Sequence, residues 1–450
     1  MADRPLTSTE ELCTFFRSSE KPPSQFRIGA EAEKFAVFRS DGSPLGYPGE
    51  RGVVAIFHDL ERFGWEPDRE SPDGPVIALR NAVASVTLEP GSQLELSGAA
   101  LPDLHQVHAE IDQHFKELEG SSERLGLAWL GLGFHPLARQ ADLGWVPKQR
   151  YAIMREYLPP LGDGALDMMR RTATVQANFD YSSEDDAMQK LVVTLKLSPL
   201  LHAMTANAPF KEGRVTPLKS VRGDVWMRMD PARSGLVERV WRASRPRYTD
   251  YVEWALDAGM FLFKRDGAVI ANTGQTFRSF LKDGYQGHRA QPKDWKMHLN
   301  TLFPEVRLKN TLELRSCDSQ SRPLTMALVA LMTGIVYDQR SLDDASALVA
   351  PFEYDAVQAA RPALLRQGIS GSFLGKPTRE LAERLLEIAS AGLARRALTN
   401  ASGEDESRFL APLRALVAAG HCPADVLTSG LSEGAAVTPS EIIRRSEMPL

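Results

Sequence analysis

Four short segments of the chain alternate polar and apolar residues with a period of two. They are residues 28–35, 88–96, 171–180 and 311–315. Because the side chains of an extended strand point alternately to its two faces, each segment predicts a strand with one apolar and one polar face. Glu31 then shares a face with Glu33, and Glu313 shares a face with Arg315. The fold must therefore bury the apolar faces of several strands together.

Glutamate recurs on these polar faces, although it is a poor strand former. For any single segment, the alternative is an ordinary face exposed to solvent. If the faces converge, they form an acidic groove in which the carboxylates repel each other unless cations neutralise them. Oxygen ligands without a histidine or cysteine cluster are typical of Mg²⁺ or Mn²⁺ and not of zinc or copper. The set as a whole therefore favours a site for divalent cations.

Arginines lie within or beside the same segments. The set comprises Arg150, Arg170, Arg171, Arg222, Arg233, Arg278 and Arg315. A guanidinium group can bind a carboxylate or a phosphate through two parallel hydrogen bonds. Carboxylates that bind Mg²⁺, combined with arginines of this kind, indicate phosphoryl chemistry on a carboxylate substrate.

Helix-like stretches separate the alternating segments, but not in strict strand–helix–strand order. Helices are predicted at residues 101–118, 183–201, 324–335, 380–396 and 407–419. This order predicts an α+β fold with a mainly antiparallel sheet and a helical C-terminal part. Because no long linker interrupts the chain, we expect a single domain over residues 1–450. Its sheet core would span residues 26–320 and its mostly helical part residues 322–450.

Composition and charge exclude several classes of protein. The net charge is −5 and 43% of the residues are hydrophobic, which argues against a disordered chain and against a non-specific nucleic-acid or membrane binder. The three cysteines are far apart, and the first residues lack the pattern of a signal peptide. The longest nearly apolar run, residues 326–337, is too short to span a bilayer. We therefore expect a cytoplasmic protein without nucleic-acid or membrane partners.

Six longer stretches of the sequence carry a resemblance to a known family. They are IGAEAEKF at 28–35, LEPGSQLELSG at 88–98, PKQRYAIM at 147–154, LDMMRRTATVQANFDYSSE at 166–184, TFRSFL at 276–281 and HLNTLFPEVRLKNTLELRSCD at 298–318. In this order they resemble the glutamate–cysteine ligases of the plant and proteobacterial type, a branch of the glutamine synthetase-like carboxylate–amine ligases. The resemblance implies a curved antiparallel sheet that forms a funnel-shaped active site, with helices outside. It also implies that ATP is cleaved to ADP and phosphate while the γ-carboxylate of L-glutamate is joined to the amine of L-cysteine.

The same resemblance implies roles for individual residues. The implied ligands of Mg²⁺, or of Mn²⁺, are Glu31, Glu33, Glu89, Glu95, Gln176 and Glu313. The implied glutamate-binding residues are Arg150, Thr172, Thr174, Arg222, Trp226 and Arg233. Asn178 and Arg278 are assigned to ATP, and Arg315, paired with Glu313, to the transferred phosphoryl group. The expected partners are the small molecules glutamate, cysteine and ATP, bound by a monomer or weak homodimer.

The sequence also departs from the family, and it leaves other functions open. Plant members carry cysteine pairs that form regulatory disulfides, whereas His108 and Met326 occupy two of those positions here. One alternative is a related ligase that joins glutamate to a different amine. A two-metal phosphohydrolase and a non-catalytic binding protein with the same fold are two others. No P-loop motif is present, which excludes a P-loop ATPase.

Overall fold

Nine strands form one antiparallel sheet in the computed structural model, which describes residues 4–450 of the chain. All strands, in chain order, are β1 Ile28–Phe38, β2 Glu66–Arg69, β3 Val76–Arg80, β4 Ser85–Leu88, β5 Leu94–Ser97, β6 Leu127–Leu130, β7 Thr174–Phe179, β8 Phe210–Lys211, β9 Arg214–Val215, β10 Ser234–Gly235, β11 Leu262–Arg265, β12 Ala268–Ala271, β13 Phe303–Pro304, β14 Val306–Leu308, β15 Leu312–Asp318, β16 Ser372–Phe373 and β17 Lys376–Pro377. The large sheet has the linear order β14-β15-β7-β1-β5-β4-β3-β2, and β6 pairs with the last residues of β1. The sheet is therefore open.

Helices surround this sheet and make up most of the chain after β15. They are α1 Thr9–Arg17, α2 Val53–Glu61, α3 Leu104–Leu125, α4 Gln149–Tyr157, α5 Ala165–Arg171, α6 Glu184–Met204, α7 Val221–Met227, α8 Glu238–Arg242, α9 Tyr248–Asp257, α10 Phe277–Asp283, α11 Pro292–Leu299, α12 Arg322–Val336, α13 Gln339–Val349, α14 Tyr354–Gln367, α15 Thr378–Arg396, α16 Ala411–Ala418, α17 Pro423–Leu427 and α18 Pro439–Ser446. Helices α3, α6 and α12 contact strands of the large sheet. The predicted α+β class, with a mainly antiparallel sheet, is confirmed.

The register of the central strands brings the predicted polar faces together. Strand β1 pairs with β5 on one side, where Glu33 lies opposite Glu95. It pairs with β7 on the other side, where Glu31 lies opposite Gln176. Because paired residues of neighbouring strands project from the same face, these side chains converge. The polar side chains of three neighbouring strands therefore form one continuous surface.

Two of the alternating segments differ from the single strands that were predicted. Within residues 88–96, residues 89–93 form a hairpin turn between β4 and β5, in which the Ser92 amide donates to the Glu89 carbonyl at 2.9 Å and Ser92 has φ +73°. Glu89 therefore lies in a turn and not on a strand. The segment 171–180 begins as the end of α5, so Arg171 is helical. A period of two carries no information about a turn between two strands, or about a helix that runs directly into a strand.

Buried apolar side chains of the sheet and of the C-terminal helices belong to one cluster. This shared core supports the proposal of a single domain. Cys13, Cys317 and Cys422 are all buried and none forms a disulfide. Within residues 4–450, every helix is too short or too polar to cross a bilayer.

Candidate active site

A cavity of about 490 Å³ lies over the polar face of the central strands. Its acidic lining consists of Glu31, Glu33, Glu89 and Glu95. Its basic lining consists of Arg80, Lys148, Arg150, Arg222, Arg307, Lys309 and Arg315. Other lining residues include Tyr151, Thr172, Thr174, Gln176, Trp226 and Asn300. The structure therefore brings most of the predicted site residues together in one place.

The four glutamates form what we call the acidic wall: Glu31, Glu33, Glu89 and Glu95. Strand β1 positions the first two, the turn before β5 positions Glu89, and β5 positions Glu95. The Thr174 backbone amide donates to Glu33 Oε2 at 2.9 Å, so β7 fixes the direction of that carboxyl group. Three separate elements therefore hold the acidic wall in place.

Burial and mutual repulsion both act on the acidic wall. Burial, and after it the charge of Glu89, raises the pKa of Glu33 to about 8. Burial, followed by the charges of Glu31, Glu33 and Glu89, raises the pKa of Glu95 well above its ordinary value. Two of the four carboxyl groups therefore hold their protons to unusually high pH when no cation is bound.

A divalent cation fits the acidic wall in ligand type and in charge. Carboxylate oxygens are the ligands that Mg²⁺ and Mn²⁺ prefer, and the raised pKa values indicate carboxyl groups that a positive ion would stabilise in the charged form. However, within residues 4–450 no group of three or more His, Cys, Asp or Glu side chains is arranged to hold a metal ion as it stands. The chemistry of the donor set supports the predicted cation site, and the roles of the individual ligands stay predictions.

The same cavity also has a basic wall, which we define as Arg307, Lys309 and Arg315. All three bind Glu313: Arg307 through two nitrogens at 2.6 and 3.1 Å, Lys309 at 2.8 Å, and Arg315 through Nη1. Burial acts to raise the pKa of Glu313, but the three cations hold it well below its ordinary range. Glu313 is fully buried and does not line the cavity. Its carboxylate offsets one of the three positive charges of the basic wall, and a metal ion at Glu313 would have to displace one of these cations.

Gln176 connects the two walls. Its side-chain oxygen accepts a hydrogen bond from Arg315 Nη1 at 2.5 Å, and its nitrogen donates to Glu33 Oε1 at 3.3 Å. An amide is suited to this position because it offers an acceptor to a cation and a donor to a carboxylate. In this arrangement the Gln176 oxygen is already engaged by Arg315.

Helix α7 carries two hydrogen-bond donors that have no partner among residues 4–450. Arg222 donates through Nη1 to the Ser316 carbonyl at 3.0 Å and through Nη2 to the Arg315 carbonyl at 2.7 Å, while its buried Nε has no partner. Trp226, one turn later on α7, has a buried Nε1 that also lacks a partner. Both residues line the cavity. Since buried donors are normally paired, these two indicate where an acceptor of a ligand would bind.

Arg150 and Lys148 lie near the start of α4, at the side of the cavity. The Arg150 guanidinium lies over the Tyr151 ring, 5.4 Å from its centre. Lys148 Nζ donates to the Leu88 carbonyl at 2.8 Å. Burial lowers the pKa of Lys148 to about 8, while the charge of Glu89 acts in the opposite direction. Arg150 was predicted from the family resemblance, whereas Lys148 was missed.

Thr172 and Thr174 line the cavity, but their hydroxyl groups are engaged elsewhere. Thr172 donates to the Met168 carbonyl and Thr174 to the Cys317 carbonyl, each at 2.6 Å. Only the lone pairs of these hydroxyls are left for a ligand. The two threonines therefore shape the cavity and attach β7 to its neighbours.

Besides Glu313, three predicted site residues lie outside the cavity lining. Arg233 is fully buried and donates to Asp230 and to two backbone carbonyls. Arg278, on α10, pairs with Glu253 and Asp257 of α9 on the outside of the fold. Asn178 donates to Glu31 Oε1 at 2.8 Å and thus contacts the acidic wall. A position in a motif does not specify which way a side chain points, and nearby carboxylates hold both arginines away from the cavity.

Four basic residues of the cavity were missed: Arg80, Lys148, Arg307 and Lys309. One signal for the last two is present in the sequence, because Val306, Arg307, Leu308 and Lys309 alternate just before the predicted strand at 311–315. A basic face on β14, opposite the acidic residue of β15, was therefore available from the same period of two. Arg80 carries no such signal, since it is placed by the pairing of β3 with β2 and β4.

The family of this chain follows from its similarity to known proteins. The family model described as "Glutamate-cysteine ligase family 2" matches residues 27–441. The chain belongs to the glutamate–cysteine ligase family. The match includes every residue of the two walls and of α7 discussed above. This family member also matches curated relatives over almost its whole length.

Two plant enzymes illustrate these relatives. The glutamate–cysteine ligase A of Oryza sativa subsp. indica is 37% identical over 426 residues, which is 94% of this chain and 84% of the relative. The glutamate–cysteine ligase of Arabidopsis thaliana is 37% identical over 431 residues, 95% of this chain and 80% of the relative. A solved glutamate–cysteine ligase from Francisella tularensis, in complex with AMP, has a TM-score of 0.55, with 13% identity and coverage of 95% of this chain and 88% of that one. At this identity the solved structure supports the fold of the family member.

The comparisons contradict the expected cytoplasmic location. Both plant relatives named above are described as chloroplastic, and so is the relative from Medicago truncatula. The expectation was based on the first residues of the chain and on its cysteine content, which do not identify a compartment. For this member of the glutamate–cysteine ligase family, the cytoplasmic prediction is therefore wrong.

Proposed function

We propose that this chain is a glutamate–cysteine ligase that uses ATP to join the γ-carboxylate of L-glutamate to the amino group of L-cysteine. The product is γ-glutamylcysteine, and the reaction is the first step of glutathione biosynthesis. The family match over residues 27–441 and the plant relatives support this activity. The observation that carries the proposal is the cavity, whose lining combines an acidic wall, a basic wall and two unpaired donors.

The glutamate substrate is assigned to the side of the cavity formed by α7. The unpaired Nε of Arg222 and Nε1 of Trp226 would donate hydrogen bonds to a carboxylate of the substrate. A carboxylate accepts several such bonds, and those from a charged guanidinium are the stronger kind. Because Arg222 also holds the backbone of β15 at residues 315 and 316, a substrate bound there lies close to Arg315.

The chemistry requires two steps. A carboxylate is a poor acyl donor, because oxide would have to leave when an amine attacks it. Transfer of the γ-phosphoryl group of ATP to the γ-carboxylate oxygen gives γ-glutamyl phosphate and ADP. The amine of cysteine then attacks the acyl carbon, loses a proton, and phosphate leaves with the electron pair of the broken C–O bond. Arg315 and Lys309 would stabilise the negative charge of the phosphoryl group from the basic wall.

The acidic wall is assigned to divalent cations. Glu31, Glu33, Glu89 and Glu95 would hold Mg²⁺ or Mn²⁺, with Gln176 beside them. When bound, such a cation neutralises phosphate charge and orients the polyphosphate. The wall itself cannot attract a polyanion, because its carboxylates repel phosphate. A bound cation would therefore offset the negative charge of both partners. The second step also needs a site from which water is excluded, because water would hydrolyse an acyl phosphate.

The direct test is mass spectrometry of the product formed from glutamate, cysteine and MgATP. We expect a mass equal to glutamate plus cysteine minus water, with one ADP released per product. A Glu66→Gln variant is a suitable control, because Glu66 is exposed on β2 and does not line the cavity. Its activity should equal that of the unaltered chain.

The same assay separates the alternatives. ADP release measured across a panel of amines would identify a ligase for another acceptor if a different amine were preferred over cysteine. Loss of ATP without any amine would indicate a phosphohydrolase and would contradict the proposal. The small-molecule partners follow from the family, whereas the monomeric or weakly dimeric state stays a prediction.

A further inference from the structure

Asp318, at the end of β15, contacts three different parts of the chain. It is fully buried. Its Oδ2 accepts a hydrogen bond from the Asn207 backbone amide at 2.8 Å, and its Oδ1 accepts one from Ser220 Oγ at 3.0 Å. His202 Nε2, near the end of α6, lies 3.5 Å from the same Oδ1. The carboxylate therefore joins β15 to α6 and to the start of α7.

The hydrogen bonds of Ser220 are fully determined by these contacts. A hydroxyl group has one hydrogen and two lone pairs. Ser220 Oγ donates its hydrogen to Asp318, accepts from the Gly223 amide at 2.9 Å as the cap of α7, and lies 3.0 Å from His202 Nε2. With both other positions in use, His202 must donate to Ser220 through Nε2. The first turn of α7 is thus attached to Asp318 through a saturated network.

Asp318 also lies close to Arg222 on α7. Among the ion pairs of residues 4–450, it is the one carboxylate within 4 Å of Arg222, at 3.6 Å from Nη1. Packing around it is tight, since a Cβ at Gly133 would collide with the Asp318 side chain and a Cβ at Gly223 with the His202 ring. The network therefore has little freedom to rearrange.

We propose that Asp318 is a positioning residue for glutamate binding, which acts by fixing the Arg222 guanidinium and the first turn of α7. It does not line the cavity and does not touch the substrate. Nη1 and Nη2 are held on β15 and beside Asp318, while Nε is the nitrogen of this cavity-lining residue that is left without a partner among residues 4–450. This proposal rests on the function proposed above, because it takes glutamate as the ligand of Arg222 and Trp226.

The test is Asp318→Asn, which keeps the size of the side chain and removes its charge. We expect the KM for glutamate to rise about tenfold, the scale of one lost hydrogen bond to a charged group. The KM for ATP should not change, because α7 is not assigned to the nucleotide. Asp180→Asn is the matched control: Asp180 is equally buried, accepts from the Arg27 amide at 2.7 Å and pairs with Lys21 away from the cavity. It should leave both KM values as they are.

A double-mutant cycle with Arg222→Lys identifies the route of the effect. If Asp318 acts through Arg222, adding Asp318→Asn to Arg222→Lys should leave the KM for glutamate near that of Arg222→Lys alone. Multiplicative effects, or an unchanged KM in Asp318→Asn, would overturn the proposal. If Asp318→Asn does not fold, Ser220→Ala removes the middle of the network and should raise the same KM severalfold, and an unchanged KM would again overturn it. Absence of ligase activity in the unaltered chain would instead refute the proposed function.

Discussion

Gln176 is the residue at which the acidic and basic walls of the cavity meet. Its side chain accepts a hydrogen bond from Arg315 and donates one to Glu33, so the positions of the two walls depend on each other. The neighbouring glutamates do not connect the two walls in this way. They differ from one another in burial and in the charges around them. Residues that look alike in the sequence can therefore be tested separately.

Glu95→Gln should lower activity and raise stability at the same time. Glutamine cannot become charged as the pH rises, so the variant avoids the repulsion within the acidic wall that, after burial, raises the pKa of Glu95. The same change removes one preorganised electrostatic contact, for which a loss in kcat of about 10²-fold is typical. The measurements are steady-state kinetics and the Tm of the metal-free protein at pH 8. Unchanged kcat would remove Glu95 from the cation site, and Glu66→Gln provides the control.

Arg307→Lys should lower kcat with little effect on the KM for glutamate. Lysine keeps the charge but loses the two-nitrogen contact with Glu313, and with it the fixed geometry of the basic wall. We expect a reduction in kcat of about tenfold or more. Arg265→Lys is the matched control. Arg265 binds Asp294 through two nitrogens at 2.7 and 2.6 Å, and the side chains of Arg265 and Asp294 are nearly buried. An equal loss in both variants would mean that only packing is affected.

At the scale of elements, the turn between β4 and β5 places Glu89 on the acidic wall. This turn packs closely against the end of α5, where a Cβ at Gly91 would collide with the Arg170 backbone. The position therefore requires glycine for space, and a larger residue would move the turn. The sequence predicted a continuous strand here because Leu88, Leu94 and Leu96 fit a period of two.

Gly91→Ala should reduce both stability and activity. Forcing a methyl group against the backbone costs about 1–3 kcal/mol and displaces Glu89. Gly144→Ala is the control, since apart from its two chain neighbours no residue of the described range 4–450 has an atom within 4 Å of a Cβ at Gly144, and its φ is not positive. Urea unfolding and kcat would be measured for both. If Gly91→Ala retained full activity, the contribution of Glu89 to the site would be refuted.

Secondary structure was predictable wherever one rule governed a segment. Residues 183–201 were predicted as a helix, and α6 covers them because Ser183 caps its first turn. Glu31 and Glu33 were placed correctly by the period of two, since β1 is regular. Arg233 and Arg278 were not, because the direction of a side chain depends on partners that are distant in sequence. Lys148 was missed for the same reason, as its environment is created by tertiary contacts alone.

At the scale of the whole molecule, the acidic wall makes stability depend on pH and on divalent cations. Glu33 and Glu95 bind protons more tightly in the folded chain than in the unfolded chain. Their contribution to stability is therefore complete below the ordinary glutamate pKa of about 4.3 and is lost as the pH rises through the raised values, about 8 for Glu33. A cation that binds the charged forms should restore it.

We therefore expect Mg²⁺ to raise the Tm more at pH 8 than at pH 5.5. At the lower pH protons compete for the same oxygens, whereas at the higher pH the cation removes a repulsion. Thermal unfolding followed by far-UV circular dichroism, with and without Mg²⁺, would measure both shifts. Glu95→Gln should reduce the difference between them. Equal shifts at the two pH values would argue against a cation on the acidic wall.

The burial of the three cysteines determines how the protein reacts with small disulfides in solution. Exchange with a small disulfide requires a thiolate that solvent can reach. Burial, as the first cause, raises the pKa of Cys13 to about 11 and that of Cys317 to about 12, and Cys422 is completely enclosed. Cystine and other disulfides of its own proposed substrate therefore meet no accessible thiolate on this chain that could attack them. The protein can therefore bind a thiol substrate repeatedly without forming a mixed disulfide with it.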